Sequence, residues 1–300
     1  MERPYLLHMI TAAKNLSPFD VNMAYDAGWT ACTPYVDVTL DEVPALVQDA
    51  IFSRGPKGVR RTGIFLGGRD AHLAVDMLEA ARKAMVPPFE VSVFADPSGA
   101  FTTAGAMVAC VEGALKRGGV AGLSGRRTLV FGGTGPVGSA AAILAARAGA
   151  DVAIVSHQGL EAAQRAAEYC SKRYGVAVSA ADGSTDERVT DLMRSADVVL
   201  NAAKAGVRVL GAHHLSATAK LKVACDVNAV PPEGIEGVGL MDNAAPISVS
   251  PSGAVGIGAL AVGNVKYKAQ NHLLQRMREA ETPQYLGFDA AFEAAREYAG

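Results

Sequence analysis

The 300-residue sequence predicts an α/β protein of two lobes, each built on a largely parallel sheet, and three observations carry that prediction. Short runs of strand-type residues alternate with runs of helical period along most of the chain. The strand-type runs are continuously apolar, as strands covered on both faces are, and lack the polar alternation of half-exposed ones. A glycine-rich junction, "KRGGVAGLSG" from Lys116 to Gly125, separates two such series. The expected division is residues 1–122, residues 123–265, and carboxyl-terminal helices over 266–300 that pack back on the first lobe.

In the first lobe "YLLHMI", "TGIFLGG" and "EVSVFAD" read as strands, while "DAHLAVDMLEAARKA" and the stretch from Ser98 to Lys116 read as helices. The second lobe opens with the strand "TLVFGG" and the helix "VGSAAAILAARAG", stopped by Gly149. The strand "DVAIVS", a helix ending near Gly175 and the strand "VAVSA" come next. "STDE" then opens a helix, with Ser184 and Glu187 at capping-box spacing. "DVVLN" and "LKVACD" supply two further strands, and "YKAQNHLLQRMREA" and "FDAAFEAAREYAG" the last helices.

Half of the residues are hydrophobic and 19% are charged, a composition that buries a substantial core. The formal net charge of −2 gives no reason to expect nucleic acid or an anionic membrane as partner. Cys32, Cys110, Cys170 and Cys225 are far apart with no CxxC pair, which argues against a zinc site or disulfides and fits a reducing cytoplasm. "MERPYLLHMITAAKN" lacks a secretory pattern, and Arg147 interrupts the longest alanine-rich run, so a soluble chain without a membrane span is expected. The histidines show no metal-ligand spacing; His213 and His214 in "AHHL" read as a solvated loop, and no metal is expected.

Gly133, Gly135 and Gly138 form a GxGxxG pattern that follows a strand and opens a helix within a unit of about 30 residues, the setting of a Rossmann-type dinucleotide turn. Gly133 would permit the tight turn, Gly135 the approach of a pyrophosphate, and Gly138 close packing of helix on strand. With Thr134, Pro136 and Val137 these residues are the candidate phosphate site, where unpaired helix N–H groups face the anion. At the end of the next strand "VSHQ" has no carboxylate to repel a 2′-phosphate and no arginine to clamp one. Ser156 and His157 therefore make a site tolerant of NADP, open to NAD, or simply a surface loop. Asn201, Ala202 and Ala203 after one strand, and Asp226 and Asn228 after another, either line the same crevice or cap turns. The glycines of "SGAVGIGALAVGN" allow a loop to approach a planar ring or a tight packing crossover.

The segments "PFDVNMAYDAG", "GIFLGGRD", "DPSGAFTTAGAMVA", "GGTGPVGSAAAILAARAGADV", "DVNAVPPEGIEG" and "GALAVGNVKYK" occur in this order through nearly the whole chain. Together they resemble the NAD(P)-dependent methylene-tetrahydromethanopterin dehydrogenases of methylotrophic metabolism. The resemblance implies an α/β pterin-binding lobe, a Rossmann-type NAD(P) lobe, an active cleft between them and a homo-oligomer. It puts Phe19 and Asp20 at the pterin and Thr103 and Lys266 near the reacting carbon, with Lys268 close enough in sequence to be confused with Lys266. Asp20 or Asp96 would offset developing positive charge or fix the pterin's amino groups. "VSHQ" departs from NADP-selective relatives, which tend to carry a base there, and "GALAVGN" from a glycine-richer form.

The implied chemistry moves a hydride from a methylene carbon held between two nitrogens to the nicotinamide. No proton need be lost, so no general base is called for, and the main task is to hold two carbons about 3–3.5 Å apart. Each residue keeps a plainer reading: Phe19 as core, Asp20 as helix cap, Asp96 as a turn residue before Pro97, Thr103 as a helix-start hydroxyl, Lys266 as an exposed lysine. "GGRDAH", Gly67 to His72, either holds an anionic or polar substrate tail through Arg69 or is a turn capped by Asp70. A tetrahydrofolate substrate, or a pterin- or nucleotide-binding protein without catalysis, remains an alternative.

Overall fold

The computed structural model describes residues 3–300. In chain order the elements are β1 (Leu6–Thr11), α1 (Pro18–Asp26), β2 (Ala31–Tyr35), α2 (Val43–Phe52), α3 (Gly55–Val59), β3 (Thr62–Gly67), α4 (Ala71–Lys83), β4 (Ser92–Ala95) and α5 (Ala100–Arg117). There follow β5 (Arg127–Phe131), α6 (Pro136–Arg147), β6 (Asp151–Ser156), α7 (Leu160–Tyr174), β7 (Val178–Asp182), α8 (Asp186–Met193), β8 (Val198–Asn201), α9 (Ala212–Ser216) and β9 (Val223–Asp226). β10 (Asn243–Pro246), β11 (Val255–Ile257), α10 (Ala259–Glu279), β12 (Tyr285–Leu286) and α11 (Phe288–Tyr298) complete the chain.

Contacts divide these elements into two units, one reaching Thr102 and including Tyr267–Ala294, the other comprising Thr103–Lys266 and Ala295–Gly300. The first unit holds a parallel sheet of order β12-β4-β3-β1-β2. Its core includes the edge-on pairs Phe65–Phe94 and Phe101–Phe288, with centroids 5.6 and 5.4 Å apart. β12 pairs with β4, and the Trp29 indole donates to the Leu274 carbonyl of α10 at 3.2 Å. The second unit holds the order β10-β11-β9-β8-β5-β6-β7, parallel except for β10. Leu129, Val155, Val199, Leu215 and Ile235 belong to its buried core.

Local chemistry accounts for several element ends. Asp70 caps α4 by accepting from the amides of His72 and Leu73 at 2.9 and 3.0 Å. Gly175 ends α7 in the left-handed region at φ 65°. α8 differs from the expected capping box: its cap is Thr185, whose hydroxyl accepts from the Arg188 amide at 3.3 Å, while Ser184 gives its amide to Asp182. β2 and β10 are sheet edges, partly exposed and containing Pro34 and Pro246, so their sequences carry no continuous apolar run. α10 starts at Ala259, so much of the glycine-containing stretch read as a loop is helix. Gly258, just before it, passes so close to the Gly239 carbonyl that no Cβ fits.

Where the sequence suggested a boundary near residue 122, the division falls inside α5, and the 116–125 segment lies in the second unit. Asp96 binds the first turn of α5, whereas further along Glu112 takes both Nε and Nη2 of Arg296 at 2.8 Å. Among the described residues no helix is long and apolar enough to cross a membrane. The four cysteines are free thiols, and burial pushes those of Cys110 and Cys170 up to about 11.

Glu112 is only 7% exposed, so removing its guanidinium partner leaves a nearly buried carboxylate unsatisfied. Arg296→Ala is expected to lower unfolding free energy by about 2 kcal/mol in urea titration. Arg165→Ala, which breaks the exposed pair with Glu161, is expected to cost under about 0.5 kcal/mol.

Candidate active site

The connection from β5 to α6 stands where the second sheet reverses: β6 and β7 extend to one side of β5, β8 and β9 to the other. Ligands of open parallel sheets bind outside the carboxyl ends of the strands at such a reversal. The glycine with left-handed backbone is Gly132, at φ 72°, and not Gly133 as the pattern suggested. A Cβ on Gly132 would run into the backbone of Ala202 at the end of β8. Gly133 instead lies against Ile154 of β6, 2.8 Å from where its Cβ would be, and Gly138 lies against the Gly132 backbone. Gly135 is different: a Cβ there would meet only the Gly132 oxygen, at 3.4 Å. Pro136 starts α6, no side chain caps it, and Thr134 and Pro136 are exposed. An open turn followed by uncapped helix amides fits a dinucleotide pyrophosphate, which Val137 and Gly138 would face from the first turn.

The strand ends beside the turn form one hydrogen-bonded cluster. Asp226, 2% exposed, accepts from Asn201 Nδ2 at 2.9 Å, Asn228 N at 3.0 Å and Ile235 N at 3.1 Å. Burial pushes its carboxyl above the ordinary value, against the opposing pull of these donors. Asn201 also accepts from the Ala203 amide at 3.3 Å, and Asn228 Oδ1 accepts from Gly206 and Val230. Of the two readings for Asn201, Asp226 and Asn228, the structure displays the turn-forming one, with Ala202 and Ala203 held in the loop these groups shape.

At the end of β6, Ser156 is 3% exposed, and its hydroxyl accepts from the Gln158 amide at 3.1 Å, while His157 is exposed. On the neighbouring strand a carboxylate, Asp182 of β7, stands in register with Ser156. Hydrogen bonds from Ser184 hold the Asp182 carboxyl below its ordinary value, and Arg188 pairs with it. This arrangement was invisible in the β6 sequence because it crosses between strands.

In the first unit, Phe19 is 45% exposed on α1, which sets aside its reading as core. Asp20 is 1% exposed and does not cap the helix; it accepts from Gln270 Nε2 of α10 at 2.9 Å. Gln270 carried no motif, and its only sequence signal was a polar residue at an otherwise apolar position of a helix. Asp96 is wholly buried and accepts from Phe101 N, Thr102 N and, at 2.6 Å, Thr102 Oγ1, so it sets the start of α5. The hydroxyl it holds is that of Thr102; Thr103, half-buried, comes next on the helix. Lys266 is half-buried and one helical turn before Gln270 on α10, whereas Lys268 is exposed on another face, which separates the two lysines.

His213 and His214 form a cluster with Asp186, not a solvated loop. His213 Nε2 lies 2.9 Å from Asp186, and His214, 4% exposed, has its Nε2 at 3.1 Å from the same carboxylate. His214 Nδ1 accepts from the Gly211 amide at 3.0 Å, so its proton sits on Nε2. Desolvation, then the neighbouring His213, lowers its pKa and keeps it in that neutral form. Asp186 of α8 and the two imidazoles of α9 thus join these helices.

Two open parallel sheets, one with a glycine turn at its reversal, define the class of nicotinamide-dependent dehydrogenase folds. The malic enzyme of Thermotoga maritima shares this fold at 13% identity, with a TM-score of 0.59 over 97% of this chain and 84% of that one. Shikimate 5-dehydrogenase of Listeria monocytogenes does so at 15%, with a TM-score of 0.51 over 97% and 96%. Residues 18–98 match the family model of the methylene-tetrahydromethanopterin dehydrogenase N-terminal region. The chain is 48% identical over 98% of its length, and 99% of the relative's, to the NAD(P)-dependent methylenetetrahydromethanopterin dehydrogenase of Methylorubrum extorquens. It is 35% identical to the bifunctional protein MdtA of the same organism over 88% of each chain. The chain belongs to the NAD(P)-dependent methylene-tetrahydromethanopterin dehydrogenase family of enzymes.

Two glycines separate folding from binding. Gly135→Ala meets no close neighbour and is expected to change stability by less than about 1 kcal/mol while weakening NAD(P)H binding about tenfold or more by calorimetry. Gly132→Ala combines left-handed strain with a backbone collision and is expected to cost more than about 2 kcal/mol in the same protein's urea unfolding.

Proposed function

We propose that the protein oxidises methylene-tetrahydromethanopterin to the methenyl form with NAD(P) as hydride acceptor. The observation that carries this is the 48% identity to a dehydrogenase of that name over 98% of the chain. The dinucleotide supplies the electron-pair acceptor at its nicotinamide ring. The turn from Gly132 to Gly138 would hold its phosphates. His157, together with the paired Asp182 and Arg188, would surround its adenosine ribose. A carboxylate already neutralised by Arg188 repels a 2′-phosphate weakly and still accepts a ribose hydroxyl, which supports use of both NAD and NADP.

On the pterin side, exposed Phe19 offers an aromatic face and buried Asp20 a carboxylate held by Gln270. Thr103 and Lys266 are proposed to lie at the reacting carbon. A lysine does not stabilise a nearby cation, so Lys266 is assigned to orienting the substrate through an acceptor group. Asp96 acts at one remove, by fixing the start of the helix that carries Thr103. The reaction leaves a cation shared by two nitrogens and releases no proton, so it requires no base. The setting implied by the family is one-carbon metabolism of formaldehyde in the cytoplasm, in a homo-oligomer.

The test is reduction of NAD and of NADP, each with methylene-tetrahydromethanopterin and with methylene-tetrahydrofolate. Turnover is expected with the methanopterin carrier and both dinucleotides; none with either carrier contradicts the proposal. Lys266→Ala is expected to lower kcat/KM about 100-fold or more, and Lys268→Ala by less than about twofold.

A further inference from the structure

β6 ends at Ser156, with His157 next, and the loop after β7 is bound to that end. The Gly183 amide donates to the Ser156 carbonyl at 3.0 Å, and a Cβ on Gly183 would come within 2.6 Å of Val155 Cγ1. Asp182 stands in register with Ser156, and α8 begins at Asp186. The glycine therefore brings the start of α8 close to the strand end at which an adenosine ribose is read.

Arg188, in the first turn of α8, reaches back across this junction. One nitrogen makes its side-chain contacts: Nη1 pairs with Asp182 and donates to Ser184 Oγ at 3.1 Å. Among the described residues Nε and Nη2 of Arg188 make no hydrogen bond or ion pair, and the side chain is 56% exposed. Asp182 is fixed independently, since it accepts from the Ser184 amide at 2.9 Å. A guanidinium anchored through one nitrogen is already oriented for a second anion, and its Nε–Nη2 edge is a fork that fits two oxygens of a phosphate.

We propose that Arg188 is the residue that admits NADP: Nη1 stays on Asp182 while Nε and Nη2 bind the 2′-phosphate, and with NAD the same Asp182 accepts a ribose hydroxyl. The inference rests on the reading of Gly132–Gly138 as the dinucleotide turn and extends it to the adenosine end of the ligand. Both dinucleotides are then served by one ion pair, the carboxylate reading the hydroxyl form and the guanidinium the phosphate form. These two residues belong to β7 and α8, outside the β6-end segment in which an acid or a base selects the dinucleotide by motif.

The experiment is calorimetric titration of NADPH and of NADH into the full chain, with no pterin present. Arg188→Ala breaks one exposed ion pair, so folding should survive. It is expected to weaken NADPH about tenfold or more relative to NADH, and Arg188→Lys to recover part of that loss. Asp182→Asn takes away the hydroxyl's acceptor and a negative charge beside the phosphate, so the NADPH:NADH affinity ratio should rise about threefold or more. Arg194→Gln, which removes a charge just beyond the other end of α8, should leave the ratio unchanged. Equal weakening of both dinucleotides in Arg188→Ala, no change in either, or a ratio that does not rise in Asp182→Asn overturns the assignment while the wild type still binds both. A wild type that binds neither dinucleotide overturns the reading of the turn, and this inference with it. Pterin turnover plays no part in the titration, so failure of the substrate assignment is read separately.

Discussion

The second unit depends on backbone meeting backbone at Gly132. A residue with left-handed φ and no side chain ends β5, touches the backbone of Ala202 after β8, and is itself touched by Gly138 from the first turn of α6. Three elements that converge at the sheet's reversal are thereby held at distances no Cβ allows. Gly133 adds a fourth through Ile154 of β6. The start of α6, with its uncapped amides, is then fixed over the strand ends, and Gly135 is left with open space in front of it. Two glycines of the motif are required by packing, and one leaves room for a ligand.

Polar groups complete the frame by binding one another. Asp226 accepts from three donors contributed by β8, its own loop and the segment at Ile235, and Asn228 holds the loops at Gly206 and Val230. In the first unit Asp96 and Asp20 are buried carboxylates with the same office: one sets the start of α5, the other joins α1 to α10. A reaction that abstracts no proton is consistent with this use of carboxylates. Its demands are orientation and tolerance of a positive charge on the substrate, and rigid placement meets the first.

The β5–α6–β6 unit was readable in the sequence because strand, glycine turn and helix are contiguous there, and buried parallel strands announce themselves as unbroken apolar runs. β2 and β10 escaped because edge strands are partly exposed and tolerate proline. The start of α10 escaped because Gly263 within it is a weak helix former. The roles of Gly132, Asp182 and Gln270 depend on neighbours distant in sequence, across strands or between helices, and a motif cannot display them. Asp96 was identified as a charge at the pterin or a turn residue before Pro97, but its capping of Phe101 and Thr102 needed coordinates. Lys266 and Lys268, indistinguishable by motif, separate by helix face.

Direct transfer of the bridge hydrogen, with geometry and not proton removal as the protein's contribution, is tested most directly by isotope labelling. Methylene-tetrahydromethanopterin deuterated at the bridge carbon is turned over with NAD(P), and the reduced dinucleotide and the solvent are assayed for deuterium. The account requires the transferred label at nicotinamide C4 with none in the water. Label appearing in water, beside an unlabelled reduced dinucleotide, would contradict it.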